Sequence, residues 1–136
     1  MSPKKLLNIT AIIGVLIAIF SFVAILAGWY IKFWYADIVM HFWGGIFVGS
    51  FFLWFWFYSG YFREFPFWQN KKFLCIFLSA LSVVIGWEVF EYFLGFNKYP
   101  EGYKLDTSTD IVMGLLGSTV AFRFLKDKIK NINIDE

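Results

Sequence analysis

Two residue types that often carry chemistry are nearly missing from this chain. One cysteine, Cys75, and one histidine, His41, occur among its 136 residues. A lone cysteine within an apolar run excludes an intrachain disulfide, leaves the redox compartment open, and reads as a small core residue. Charge is scarce too: Asp, Glu, Lys and Arg make up 16% of the chain, as 12 basic against 10 acidic residues. That even balance, with the basic residues confined to segments between apolar runs, argues against a nucleic-acid partner. The sequence has no P-loop, no HExxH and no nucleophile motif. It also has no low-complexity stretch or linker, so residues 1–136 read as one domain.

Apolar residues fill the space that charge leaves. They are 60% of the chain, aromatics alone are 24%, and the mean hydropathy is +0.64; soluble domains sit near about 45–50% apolar. Lipid is the solvent that accommodates the excess. A crossing helix needs about 20 apolar residues, and four runs qualify: 6–28, 36–58, 73–95 and 107–125. The fold class expected is all-α, a four-transmembrane-helix bundle. The first run follows Lys4 and Lys5, exceeds a signal-peptide core in length and is closed by no A-x-A site, so it reads as a retained helix.

Lys and Arg in the flanks set the expected orientation. Nine fall on the side of both termini (Lys4, Lys5, Arg63, Lys71, Lys72, Arg123, Lys126, Lys128, Lys130) and three on the other (Lys32, Lys98, Lys104). Both termini are therefore expected in the cytoplasm, with the chain in the plasma (inner) membrane. Trp29, Tyr30, Trp34 and Tyr35 form an outer aromatic belt, and Tyr58, Tyr61, Phe65 and Trp68 an inner one. The loop from Ser59 to Lys72 reads as an interfacial segment broken at Pro66.

Ionisable residues within the spans give the functional clue. Asp37 and His41 are four apart, which places them on one helix face, roughly 6 Å apart in depth. Glu88 and Glu91 are three apart, and Asp106 and Asp110 four apart. All six fall at the outer ends of three different spans. Even at half the insertion penalty of a central carboxylate, burying four of them would cost about 5–7 kcal/mol. A bound cation, shared protons or cavity water must compensate. Plainer readings exist for each. Thr107 and Asp110 fit a capping box, Asp37 an interfacial cap, His41 a hydrogen-bonded packing residue, Glu91 a group reaching water, and Asp106 a solvated loop residue; Glu88 is the hardest to explain this way.

Small residues continue two of these faces, Gly44 and Gly45 after His41, and Gly114, Gly117 and Ala121 after Asp110, which lets helices approach closely. On the third span Ser79, Ser82 and Gly86 lie about 200° from Glu88, by 100° per residue, and are expected to serve another contact. Gly45-x-x-x-Gly49 reads as packing rather than a dimer motif. Asp37-Ile38-Val39-Met40 with Gly44 recurs 73 residues on as Asp110-Ile111-Val112-Met113 with Gly117, as a duplicated hairpin would require.

Asp-x-x-x-His-Phe-x-Gly-Gly (37–45), Gly-Trp-Glu-x-x-Glu (86–91) and Asp-Thr-x-x-Asp followed by Gly-x-x-Gly (106–117) together resemble the signature of YjdF-like bacterial membrane proteins and, more loosely, VanZ-like proteins. The resemblance covers the second to fourth spans. It implies a small inner-membrane protein in which Asp37, His41, Glu88, Glu91, Asp106 and Asp110 are functional. VanZ-like proteins are associated with glycopeptide resistance, but their usual Asn four residues after the last Asp is Gly114 here.

Three functions follow. The first is a metal-dependent enzyme on a lipid-linked substrate at the outer leaflet, with Asp37, His41, Glu88, Glu91, Asp106 and Asp110 as metal ligands and His41, Glu88 and Glu91 as the catalytic set. Such mixed ligands suit Mg, Mn, Fe or Zn alike. The second is an ion- or proton-coupled transporter or channel, though no inner half-span offers an ionisable continuation before Arg123. The third is a scaffold whose buried acids only specify packing. Membrane lipids are the expected partners; a homo-oligomer and the identity of the substrate stay open.

Overall fold

The computed structural model describes residues 1–62, 71–94 and 103–128, which include Tyr61 of the inner aromatic belt. Arg63, Phe65, Pro66, Trp68, Lys98 and Lys130 lie outside them. The described residues are helical, with no strand: α1 (Pro3–Leu26), α2 (Trp29–Lys32), α3 (Tyr35–Phe57), α4 (Lys72–Leu94) and α5 (Tyr103–Leu125). α1, α3, α4 and α5 are each long and apolar enough to cross a membrane.

Local chemistry sets the boundaries. Ser2 caps α1, its side chain accepting from the Lys5 amide, and Pro3 opens the helix with a φ already suited to it. Gly28, at φ 67°, ends that run in the left-handed conformation that glycine adopts without strain. α5 begins four residues ahead of the apolar run, at Tyr103. Thr107 is thus inside the helix, and Asp110 sits in the second turn rather than at a cap.

α3 is the central helix and packs against α1, α4 and α5, most extensively against α5. Backbone contact makes this possible. A Cβ on Gly45 would run into the Gly114 carbonyl, and one on Gly117 into the Phe42 carbonyl; one on Gly49 would stand 2.8 Å from Ser118 Cα. Gly45-x-x-x-Gly49 thus serves packing within the chain. Gly44 has nothing within 4 Å of its Cβ position, so the face below His41 runs through Gly45 and Gly49 alone. Since Gly45 meets Gly114 and Gly49 meets Ser118, α3 and α5 run in the same direction, and the two Asp-Ile-Val-Met copies lie side by side at one end.

α4 turns Ile76, Ala80, Val84 and Glu88 inward at four-residue intervals. Of the stripe formed by Ser79, Ser82 and Gly86, Ser79 bonds another helix, accepting a 3.0 Å bond from Trp56 Nε1. Ser82 bonds its own Leu78 carbonyl and Gly86 is open.

The two ends of the bundle differ. At the end where the Met1 ammonium donates to the Lys128 carbonyl, Leu6, Leu53, Ile76 and Phe122 form a closed apolar cluster. Asp37, Glu88 and Asp110 occupy the opposite end. α1 is peripheral, with Leu16, Phe22 and Leu26 at least 60% exposed, a surface stable only against hydrocarbon.

Candidate metal centre

His41 stands one turn into α3, on the face that meets α4 and α5. Its Nε2 is 3.7 Å from Asp37 Oδ1 and 3.8 Å from Asp110 Oδ2, and its Nδ1 is 3.9 Å from Glu88 Oε1. One imidazole thus faces carboxylates from three helices. These separations are longer than a direct hydrogen bond of about 2.7–3.2 Å. They fall within the ~3–4 Å expected between two ligands each about 2.0–2.2 Å from one ion. Among the described residues, two sets of donors gather within 4.8 Å: Asp37, His41 and Asp110; and His41, Glu88 and Glu91.

The least accessible members are the least satisfied. Asp110 is 2% and Glu88 6% exposed, yet Asp110 Oδ1 and Glu88 Oε1 make no hydrogen bond to the described residues. A buried carboxylate oxygen without a partner is costly, and here the carboxylates also face one another: Asp37, Asp106, Glu88 and Glu91 all act electrostatically on Asp110. A shared cation would relieve mutual repulsion and missing donors together. The Glu88 carboxyl does accept from Thr107, and Glu91 is aimed by a 2.9 Å bond from Trp87 Nε1 one turn earlier on α4.

Five of the six residues expected from sequence are therefore brought together, His41 with Asp37, Glu88, Glu91 and Asp110 around it. Asp106 is in neither donor set; it lies half-buried one turn outward on α5 and contributes its charge. Three contributors escaped the sequence reading. Thr107 serves Glu88 rather than capping a helix, and Trp87 orients Glu91, a pair whose i, i+4 spacing is visible in the sequence. Tyr30, expected only as a belt residue, sits half-buried on α2 close enough to feel Asp37 and Glu91. Burial raises its phenol pKa above the ordinary value, a Ser21 hydrogen bond opposes that, and the two carboxylates add to the rise.

No known protein family, curated protein or solved structure gives a significant match to this chain. The geometry therefore carries the functional reading by itself.

Proposed function

We propose that this chain is a plasma-membrane enzyme, with both termini cytoplasmic, that uses a divalent cation bound near the outer leaflet to act on a phosphoester of a lipid-linked substrate. Membership of the YjdF-like group is part of the proposal and rests on its three motifs. The observation that carries it is His41 flanked at Nε2 by two aspartates from parallel helices, with orphaned carboxylate oxygens of Glu88 and Asp110 beside it.

Asp37, His41 Nε2 and Asp110 would hold the cation. On the other side of the ring, Glu88 would accept the Nδ1 proton, which fixes the tautomer that leaves Nε2 free to ligate. Glu91, oriented by Trp87, would accept a proton from a reacting water. A bound cation would supply a Lewis acid for the phosphoryl oxygen and lower the pKa of that water. Mixed oxygen and imidazole donors accept Mg, Mn, Fe or Zn.

The test is phosphate release from a single-chain phosphate monoester in mixed micelles, with elemental analysis of the same preparation. Manganese- or magnesium-dependent release, lowered more than about 10-fold in His41→Ala and Asp110→Asn, is expected. Protein without bound metal, together with ion affinity unchanged by Glu88→Gln, would contradict the proposal.

One observation favours transport as a second reading. Thr10 and Ser118, seven residues from the inner ends of α1 and α5, bury hydroxyls that make no hydrogen bond to the described residues, a polar step inward from the cluster. Cation or proton flux in liposomes, abolished by His41→Ala, would select transport over hydrolysis.

A further inference from the structure

A groove of about 430 Å³ opens between α4 and α5 at the level of the cluster, lined by Ile85, Glu88, Val89, Tyr92, Thr107 and Ile111, with Phe93 at its rim. Its walls are hydrocarbon and aromatic except for Glu88 and Thr107. Ile85, Val89 and Tyr92 are 44%, 49% and 57% exposed, so the groove faces sideways, toward the lipid, rather than along the bundle axis. Glu88 belongs to both places: it lines the groove, and its Oε1 is 3.9 Å from His41 Nδ1. An apolar channel therefore ends on the polar cluster, with one carboxylate at the junction.

We infer that this groove admits, from the outer leaflet, the head-proximal part of the hydrocarbon chain of a phosphate-bearing amphiphile whose head reaches the His41 cluster. The inference rests on the cation reading of that cluster and adds the substrate class and its route. The volume lies at the small end of ligand clefts, which run from about 300 to 1,000 Å³, so it suits one chain rather than two. The rest of the chain stays in lipid along the exposed faces of Val89 and Ile85. Charge decides the head. Asp37, Glu88, Glu91 and Asp110 repel a bare phosphate; a divalent cation held by Asp37, His41 and Asp110 would offset two of those charges and offer a phosphate oxygen a direct positive partner. The amphiphile therefore binds with the metal and not without it, whereas free phosphate, which gains nothing from the apolar walls, binds weakly even then.

The experiment uses the whole protein in detergent and a single-chain alkyl phosphate with a photoreactive group near its head, with and without manganese(II). Cross-linked residues are located by mass spectrometry, and manganese binding is measured on the same samples. Manganese should raise labelling of Ile85, Val89 and Ile111 at least about 5-fold, corresponding to ~1 kcal/mol. Excess unlabelled alkyl phosphate should displace the label, and inorganic phosphate at the same concentration should not. Val89→Trp fills the groove from an exposed position; it should reduce labelling at Ile85 and Ile111 at least 5-fold and leave manganese binding intact, while Leu16→Trp on the peripheral α1 changes neither. Labelling spread equally over α1, displacement by inorganic phosphate as effective as by the amphiphile, or unchanged labelling in Val89→Trp overturns the groove while manganese binding stands. Failure of the unsubstituted protein to bind manganese overturns the cluster reading and this inference with it.

Discussion

The two ends of this bundle are built from the same helices by opposite rules. At the end that holds both termini Leu6, Leu53, Ile76 and Phe122 bury their side chains completely or nearly so and leave no polar atom of their own to satisfy. At the opposite end the same α3, α4 and α5 bury His41 beside four carboxylates, two of which hold oxygens without a hydrogen bond among the described residues. Packing explains the first arrangement and works against the second. Stability is thus concentrated at one end, and unsatisfied charge, the usual mark of a functional site within a membrane, at the other. What joins them is the close seam of α3 on α5, which sets the positions of Asp37 and Asp110 through Gly45, Gly49, Gly114 and Gly117.

The largest expected effect comes from breaking that seam. Gly45→Ala places a Cβ against the Gly114 carbonyl and should destabilise the bundle by about 3 kcal/mol or more, at the upper end of overpacking effects. The neighbouring Gly44→Ala, which meets nothing, should stay within about 0.5 kcal/mol. Thermal unfolding of both variants in detergent checks the pair, and equal losses would mean the seam lies elsewhere. Next is Leu53→Ala, fully buried at the apolar end. It should lose about 2–4 kcal/mol by opening a cavity and leave manganese affinity unchanged in the surviving folded protein, as measured by calorimetry. A parallel fall in affinity would show the two ends to be coupled.

The opposite response is expected at the carboxylate end. Glu88→Gln removes a buried charge while keeping its shape, and should raise metal-free stability by about 1 kcal/mol as it lowers manganese affinity at least about 10-fold. Loss of stability instead would assign Glu88 a packing role. The smallest effect is Ser79→Ala, which deletes the acceptor of the Trp56 indole at 3.0 Å. About 0.6 kcal/mol is expected, typical of a polar contact between membrane helices, with no change in metal binding.

Hydropathy made the four long helices legible to within a few residues at most boundaries, because lipid exposure is the quantity it measures. The start of α5 was hidden for the same reason: Tyr103 to Asp106 are too polar to extend an apolar run, yet they hold helical geometry above the span. Helical periodicity placed His41 and the acids on common faces, and the structure joins those faces. It could not say which of two adjacent glycines meets another backbone, since Gly44 and Gly45 differ by 100° of rotation that only the partner helix resolves. Nor could it see that α4 approaches through Ala80 and Val84 rather than through Ser82 and Gly86. Small residues permit a contact without requiring one. Thr107 and Tyr30 were misjudged because their partners lie on other helices.

The most direct measurement is anomalous scattering from crystals of the protein grown with manganese(II). A single peak is expected within about 2.0–2.6 Å of His41 Nε2 and of carboxylate oxygens from both Asp37 and Asp110. No peak at the carboxylate end, or a His41 ring turned toward the acyl chains beyond reach of Asp110 and Glu88, would contradict the metal centre.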